Sequence, residues 1–181
     1  MDHQEQFLVL VNEQDEAVGT MEKMETHRKA LLHRAFSVFL FNSKCEMLLQ
    51  RRALSKYHSG GLWTNACCSH PFPTETPEVG AKRRLHEELG FVTAISPAFT
   101  FIYKAELDNE LTEHEYDHVF IGTYDGEIHV NEDEVGDYCY RSMNELKIDV
   151  DQHPGQYTEW FKIALPLLEN YLKENQHIVH A

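Results

Sequence analysis

The stretch that decides the fold is Thr76-Pro-Glu-Val-Gly-Ala-Lys-Arg-Arg-Leu-His-Glu-Glu-Leu-Gly90. Thr76 is a good helix N-cap, and Pro77 suits the first helical position, where its missing N–H would have no partner anyway. Ala81, Leu85 and Leu89 recur every four residues and give one apolar stripe, and Gly90 supplies the left-handed stop. The spacing therefore predicts a helix from Pro77 that buries one face. Arg84 and Glu88 stand one turn apart beside that stripe, where an ordinary ion pair is the plain expectation.

Working outward, a segment rich in Gly, Ser, Cys and Pro runs from Ser55 to Thr76 and reads as a loop. Before it, Arg34–Phe41 and Glu46–Arg51 flank the turn-like Asn42–Cys45 and read as a β-hairpin. Phe7–Val11 is a further short β-rich run, followed by the turn-like Asn12–Glu16. After the helix, strands are expected at about 98–106, 115–124 and 135–141. A last helical region begins near Thr158 and carries Trp160, Phe161, Ile163, Leu165, Leu168 and Tyr171; Pro166 is expected to kink or interrupt it. Strands mixed with segregated helices indicate an α+β class. With no linker, repeat or low-complexity stretch, residues 1–181 are read as a single domain.

The formal net charge is −14, from 30 acidic and 16 basic side chains. Such a surface repels nucleic acid and anionic membranes, so an anionic ligand needs a local basic cluster. Lys23, Arg52, Lys56 and Arg84 are the candidates for it. The four cysteines, at 45, 67, 68 and 139, include no C-x-x-C pair, and reduced thiols are expected. The acidic N-terminus lacks the features of a signal peptide, and 177–181 matches no lipidation signal. The apolar run around Phe36–Phe41 is too short to span a bilayer, so a cytoplasmic location is the default.

Glu113-His-Glu115-Tyr-Asp117 alternates, which puts Glu113 and Glu115 on one strand face about 6.7 Å apart. Buried carboxylates at that spacing are costly unless a cation neutralises them. Taken alone, the pattern better fits an exposed, charged strand edge. His114 faces the other way. His27, His33 and His70 alter the weighing, because three imidazoles with carboxylates suit zinc or manganese.

Counted from Ser69, the chain runs along the Nudix pattern G-x5-E-x7-R-E-U-x-E-E-x-G-U, with U apolar. The positions are Ser69, Glu75, Arg83, Arg84, Leu85, Glu87, Glu88, Gly90 and Phe91. Ser69 replaces the first Gly, and Arg84 replaces a Glu that would hold metal. That exchange is poor for hydrolysis and good for gripping phosphate oxygens. Together with Arg51-Arg-Ala-Leu-Ser-Lys56, Trp63-Thr-Asn-Ala-Cys-Cys-Ser-His-Pro71, and Tyr103 followed by Glu113-His-Glu115, the chain resembles type I isopentenyl-diphosphate isomerases from about Leu8 to Trp160.

The resemblance implies a Nudix-like mixed β-sheet domain flanked by helices. It also implies interconversion of isopentenyl and dimethylallyl diphosphate through a tertiary carbocation. By position, Cys68 matches the family's catalytic cysteine, Glu115 its catalytic glutamate, Tyr103 the assisting tyrosine and Trp160 the tryptophan over the reacting carbons. His27, His33, His70, Glu113 and Glu115 match the ligands of one Mn2+ or Zn2+ (or Mg2+), and Glu88 matches the residue that helps hold Mg2+ on the diphosphate. In this reading Glu115 with Tyr103 delivers a proton and Cys68 takes one. The expected partner is a small prenyl diphosphate, with no nucleic acid and no membrane insertion. Two other readings, a Nudix hydrolase and an inactive metal-stabilised binding module, are disfavoured by Arg84 and by the joint presence of Cys68, Tyr103, Glu115 and Trp160.

Overall fold

The computed structural model describes residues 6–175. The readings of the two chain ends, at 1–5 and at 177–181, lie outside the described residues. The helix around which the sequence was read is present and capped as expected. Counting in chain order it is α2, Pro77–Leu89: Thr76 Oγ1 accepts from the Val79 amide at 3.3 Å, and Gly90 adopts φ 77°. A Cβ at Gly90 would lie 2.6 Å from the His129 carbonyl oxygen, so backbone hand and available space both demand glycine. Ala81, Leu85 and Leu89 are fully buried, and burying each leucine contributes roughly 1.5–3 kcal/mol.

Nine strands form one mixed sheet: β1 (Phe7–Val11), β2 (Ala17–Glu22), β3 (His33–Phe41), β4 (Met47–Arg52), β5 (Trp63–Asn65), β6 (Cys67–Ser69), β7 (Ile95–Glu106), β8 (Thr112–Thr123) and β9 (Val135–Arg141). β3 runs parallel to β8 and antiparallel to its other partners, β1, β4 and β6. Among the described residues there are three more α-helices, α1 (Lys23–Arg28), α3 (Met143–Gln152) and α4 (Glu159–Glu174). β3 is covered on both faces, which is why its sequence shows no polar alternation. Phe36, Val38 and Leu40 pack in one core cluster with the stripe of α2. Phe39 and Phe41 pack in the other with Phe161, Leu165 and Leu168 of α4.

Several expectations change. The Arg34–Arg51 hairpin closes its turn, but β3 and β4 meet only at Phe41 and Met47. They then part because β3 finds its ladder with β6 and β8, and β4 with β5 and β9. The segment 55–76 is not wholly loop, since it contains β5 and β6. α4 runs through Pro166 without a break; Pro166 lies on an exposed face, where water can satisfy the carbonyl it frees. β2, α1 and α3 are additional elements. α3 carried a legible signal, a capping box in which Ser142 Oγ accepts from the Glu145 amide and the Glu145 carboxylate accepts from the Ser142 amide. Among the described residues, no helix is long and apolar enough to cross a membrane.

Candidate active site

Strand register assembles most of the site. β8 lies between β3 and β7, so its carboxylates point from an interior strand rather than an edge, and Glu113, Glu115 and Asp117 are all buried. The exposed-edge reading of this strand is therefore overturned. His33 of β3 pairs with Glu115, and Glu115 pairs with Tyr103 of β7, so the three stand side by side across the sheet. Further along β3, Ser37 pairs with Cys68 of β6, while Val38 pairs with Cys67. Successive residues of a strand alternate faces, so Cys68 lies on the site face and Cys67 belongs to the core under α2. His114 is half-buried on the opposite side, bonded to the Ala30 carbonyl at 3.0 Å.

His27, His33, His70 and Glu115 form a buried group whose ligand atoms all lie within 4.8 Å of one another, an arrangement that can hold a metal ion. His27 comes from α1, where its Nδ1 lies 2.7 Å from the Lys23 carbonyl; His33 Nδ1 lies 2.8 Å from the Leu31 carbonyl. A carbonyl only accepts, so both rings carry their proton on Nδ1 and turn a bare Nε2 inward. His27 Nε2 is buried and has no hydrogen-bond partner, a loss of about 1–3 kcal/mol unless something occupies it. Burial holds His27 near a pKa of about 4 and His70 near about 3, so both rings are neutral, the form that binds a cation. His70 Nε2 is 2.9 Å from Glu115 Oε1 and 3.2 Å from His33 Nε2. The donor set fits a divalent ion.

Glu113, expected as a ligand here, lies outside this group, and so does Glu88, which was expected on the Mg2+ that accompanies the diphosphate. The Tyr103 hydroxyl sits between Glu113 at 2.9 Å and Glu115 at 2.6 Å. One hydroxyl has one proton to give, so the pair needs a second proton to bond on both sides. Burial, with the charge of Glu115 beside it, raises Glu113 well above the usual carboxylate range and supplies that proton. Burial works the same way on Glu115, but the bond to His70 Nε2 and the His33 ring close by outweigh it and hold Glu115 well below the usual carboxylate range. Glu88 instead accepts from Gln50 Nε2 at 2.7 Å and from Arg84 Nε at 2.9 Å.

Cys68, Glu113, Glu115 and Trp160 line a narrow cavity of about 40 Å³, together with Lys23, Arg52, Lys56 and Arg84. Burial, then Glu115, Asp117 and Glu113, push the Cys68 thiol well up, so it carries its proton. Trp160 is fixed by its Nε1 bond to Thr64 Oγ1 at 2.9 Å, and the Arg52 guanidinium lies 5.2 Å from its ring centroid. All four expected cations are brought together. Burial, then the charges of Lys56, Arg84 and Arg52, lower Lys23 to a pKa of about 8.

Four neighbours were not anticipated from the sequence. Asp117 continues the Glu113/Glu115 alternation, a visible signal, and accepts from Ser37 Oγ at 2.7 Å; Ser37 Oγ also lies 3.5 Å from Cys68 Sγ. His58, buried and 5.8 Å edge-on to Trp160, has Nε2 3.8 Å from Glu113. Glu134 bonds Lys56 and Arg84 from the turn before β9. No local pattern marks His58 or Glu134, because both arrive from loops.

The chain matches the NUDIX domain model over residues 31–161. It is 48% identical to the isopentenyl-diphosphate Delta-isomerase of Pectobacterium atrosepticum, covering 91% of this chain and 92% of that one. To isopentenyl-diphosphate Delta-isomerase 2 of Photorhabdus laumondii it is 49% identical, covering 87% and 89%. Among solved structures it is similar to DR0079 from Deinococcus radiodurans, with a TM-score of 0.67 at 19% identity over 81% of this chain and 90% of that one. It is likewise similar to a MutT protein from Methanosarcina mazei, with a TM-score of 0.64 at 18% identity over 80% and 95%. At such identities these two speak for the fold alone. The chain belongs to the isopentenyl-diphosphate Delta-isomerase family and is built on a NUDIX domain.

Proposed function

We propose that this chain, acting as a single domain, interconverts isopentenyl and dimethylallyl diphosphate. The observation that carries the reading is the convergence, in one buried cavity, of a thiol, a tyrosine-bridged carboxylate pair, a tryptophan face and four cations. The names of the relatives support it. The cations hold the diphosphate, and Glu88 stands beside Arg84, where magnesium accompanying the diphosphate would be met. His27, His33, His70 and Glu115 would hold the second ion, manganese, zinc or magnesium, which would supply positive charge that keeps Glu115 ionised and fixed.

The reaction moves one proton on and one proton off. Adding a proton to the terminal alkene carbon leaves a tertiary cation, and removing one from the carbon next to the CH2–O group re-forms the double bond. Cys68 and the Glu115–Tyr103 pair are the two proton carriers. In the ligand-free site the thiol holds its proton and Glu115 does not. A turnover that starts on Glu115 as donor and Cys68 as acceptor therefore begins from the opposite loading, and reversing the reaction exchanges the two. The face of Trp160 stabilises the cation by roughly 2 kcal/mol. That is small beside the 8–23 kcal/mol that enzymes supply, so water exclusion and positioning must provide most of the rest.

The test is incubation with isopentenyl diphosphate and magnesium in deuterated water. Deuterium-labelled dimethylallyl diphosphate is expected. Released phosphate would mean hydrolysis, and an unchanged substrate would sink the reading.

A further inference from the structure

The inner cavity is narrow, about 40 Å³. A wider groove of about 760 Å³ lies outside, and Lys23, Lys56, Ser69, Arg84 and Glu134 line both spaces. Of these five, Glu134 alone carries the same sign of charge as the ligand.

Its carboxylate is bonded to Lys56 and lies 2.9 Å from Arg84 Nη2. Burial opposes its ionisation, but Lys56 and Arg84 more than offset this and keep it charged. Its backbone is pinned on both sides: the Glu134 amide donates to Asn131, whose own amide donates to Glu88 of α2, and the Glu134 carbonyl accepts from Ala53. The side chain is 24% exposed and opens onto the outer groove. The peptide is held, and only the carboxylate can swing.

We infer that Glu134 is an internal counter-anion that occupies a phosphate position on Lys56 and Arg84 until the ligand's own phosphate displaces it into the outer groove. It weakens the hold on every competing anion by the same displacement step. Only a ligand with enough further contacts, to Lys23, Arg52 and the carbon-binding end of the cavity, remains bound at low concentration. This rests on reading those cations as the diphosphate site, but not on turnover.

The test is calorimetric titration of the full chain with inorganic pyrophosphate, with and without Mg2+, for wild type and Glu134→Gln. A melting curve shows that the variant is folded, and Glu134→Asp, whose shorter side chain reaches the two cations less well, serves as a second variant. Glu134→Gln should bind pyrophosphate about tenfold tighter in both conditions, the loss of roughly 1.4 kcal/mol of displacement, with Glu134→Asp between it and wild type. Equal or weaker binding overturns the inference. So does tightening that reverses when Mg2+ is added, which would make Glu134 a ligand of the metal that accompanies the diphosphate. Absence of pyrophosphate binding in all three proteins also overturns it, whereas failure of the deuterium experiment alone leaves it standing.

Discussion

Tyr103→Phe isolates the proton-handling part of the site. The ring is buried and stacks on Phe101 at a centroid distance of 5.5 Å, and phenylalanine keeps that packing. What is lost is one hydroxyl, 2.6 Å from Glu115 and 2.9 Å from Glu113. Both are bonds to carboxyl groups, the stronger class, and their loss leaves buried oxygens without a partner, at about 1–3 kcal/mol. For a chain of this length each kcal/mol lowers the Tm by about 2–4 °C. If the hydroxyl also passes a proton to or from Glu115, its loss in the transition state is worth a further ~2–4 kcal/mol, or about 30- to 1000-fold in kcat. The assay is the rate of deuterium incorporation into dimethylallyl diphosphate, followed by NMR, with KM determined alongside. The expected result is a large fall in kcat with KM changed little, because the hydroxyl does not touch the cations that hold the diphosphate. A kcat within threefold of wild type in a variant with the expected loss of Tm would refute the reasoning and leave the hydroxyl a purely structural bridge.

Stripping divalent ions with a chelator should destabilise the fold. An ion present at a hundred times its Kd contributes about 2.7 kcal/mol, so a Tm fall of roughly 5–10 °C is expected by calorimetry. The fall should be absent in His27→Ala, which removes the buried, unpartnered Nε2. Lys23, lowered from the unfolded value of 10.5 to about 8, binds fewer protons in the folded state between those two pH values. Through this group stability rises as pH increases from about 8 to 10.5, and the gain is absent below that window. Pyrophosphate restores the charge, so binding at pH 8.5–9 should take up a substantial fraction of one proton; titration in two buffers of different ionisation enthalpy measures this, and Lys23→Met should abolish it. Cys68→Ala should lose conversion with the melting curve nearly intact. Cys67→Ala, in the core under α2, should instead lose about 1 kcal/mol of stability and keep conversion; equal loss of conversion in both would contradict the face assignment.

Short-range patterns in the sequence already determined α2: its N-cap, its proline, its apolar stripe and its glycine stop each act within one or two turns. The same holds for the alternation of Glu113 and Glu115, which spacing shows, while the quoted motifs carry the family resemblance and the meeting of Lys23, Arg52, Lys56 and Arg84 waits for the fold. α3 was equally legible through Ser142 and Glu145. Tertiary structure alone decided what those patterns face. The Glu113/Glu115 strand reads as an exposed edge until β3 and β7 are placed on either side of it, because burial depends on neighbours some eighty and ten residues away. The resemblance picks Cys68 by position, but that it faces the site and Cys67 the core depends on a one-residue register against Ser37 and Val38, which no local propensity sets. Glu88 was legible as a helix carboxylate, but its partners Gln50 and Arg84, and the Tyr103 hydroxyl set between Glu113 and Glu115, follow from the packing of separate strands. Glu134 reaches Lys56 and Arg84 across 78 and 50 residues of chain. Periodicity acts over one turn or one pleat, whereas a charge interacts with whatever the fold brings within a few ångströms.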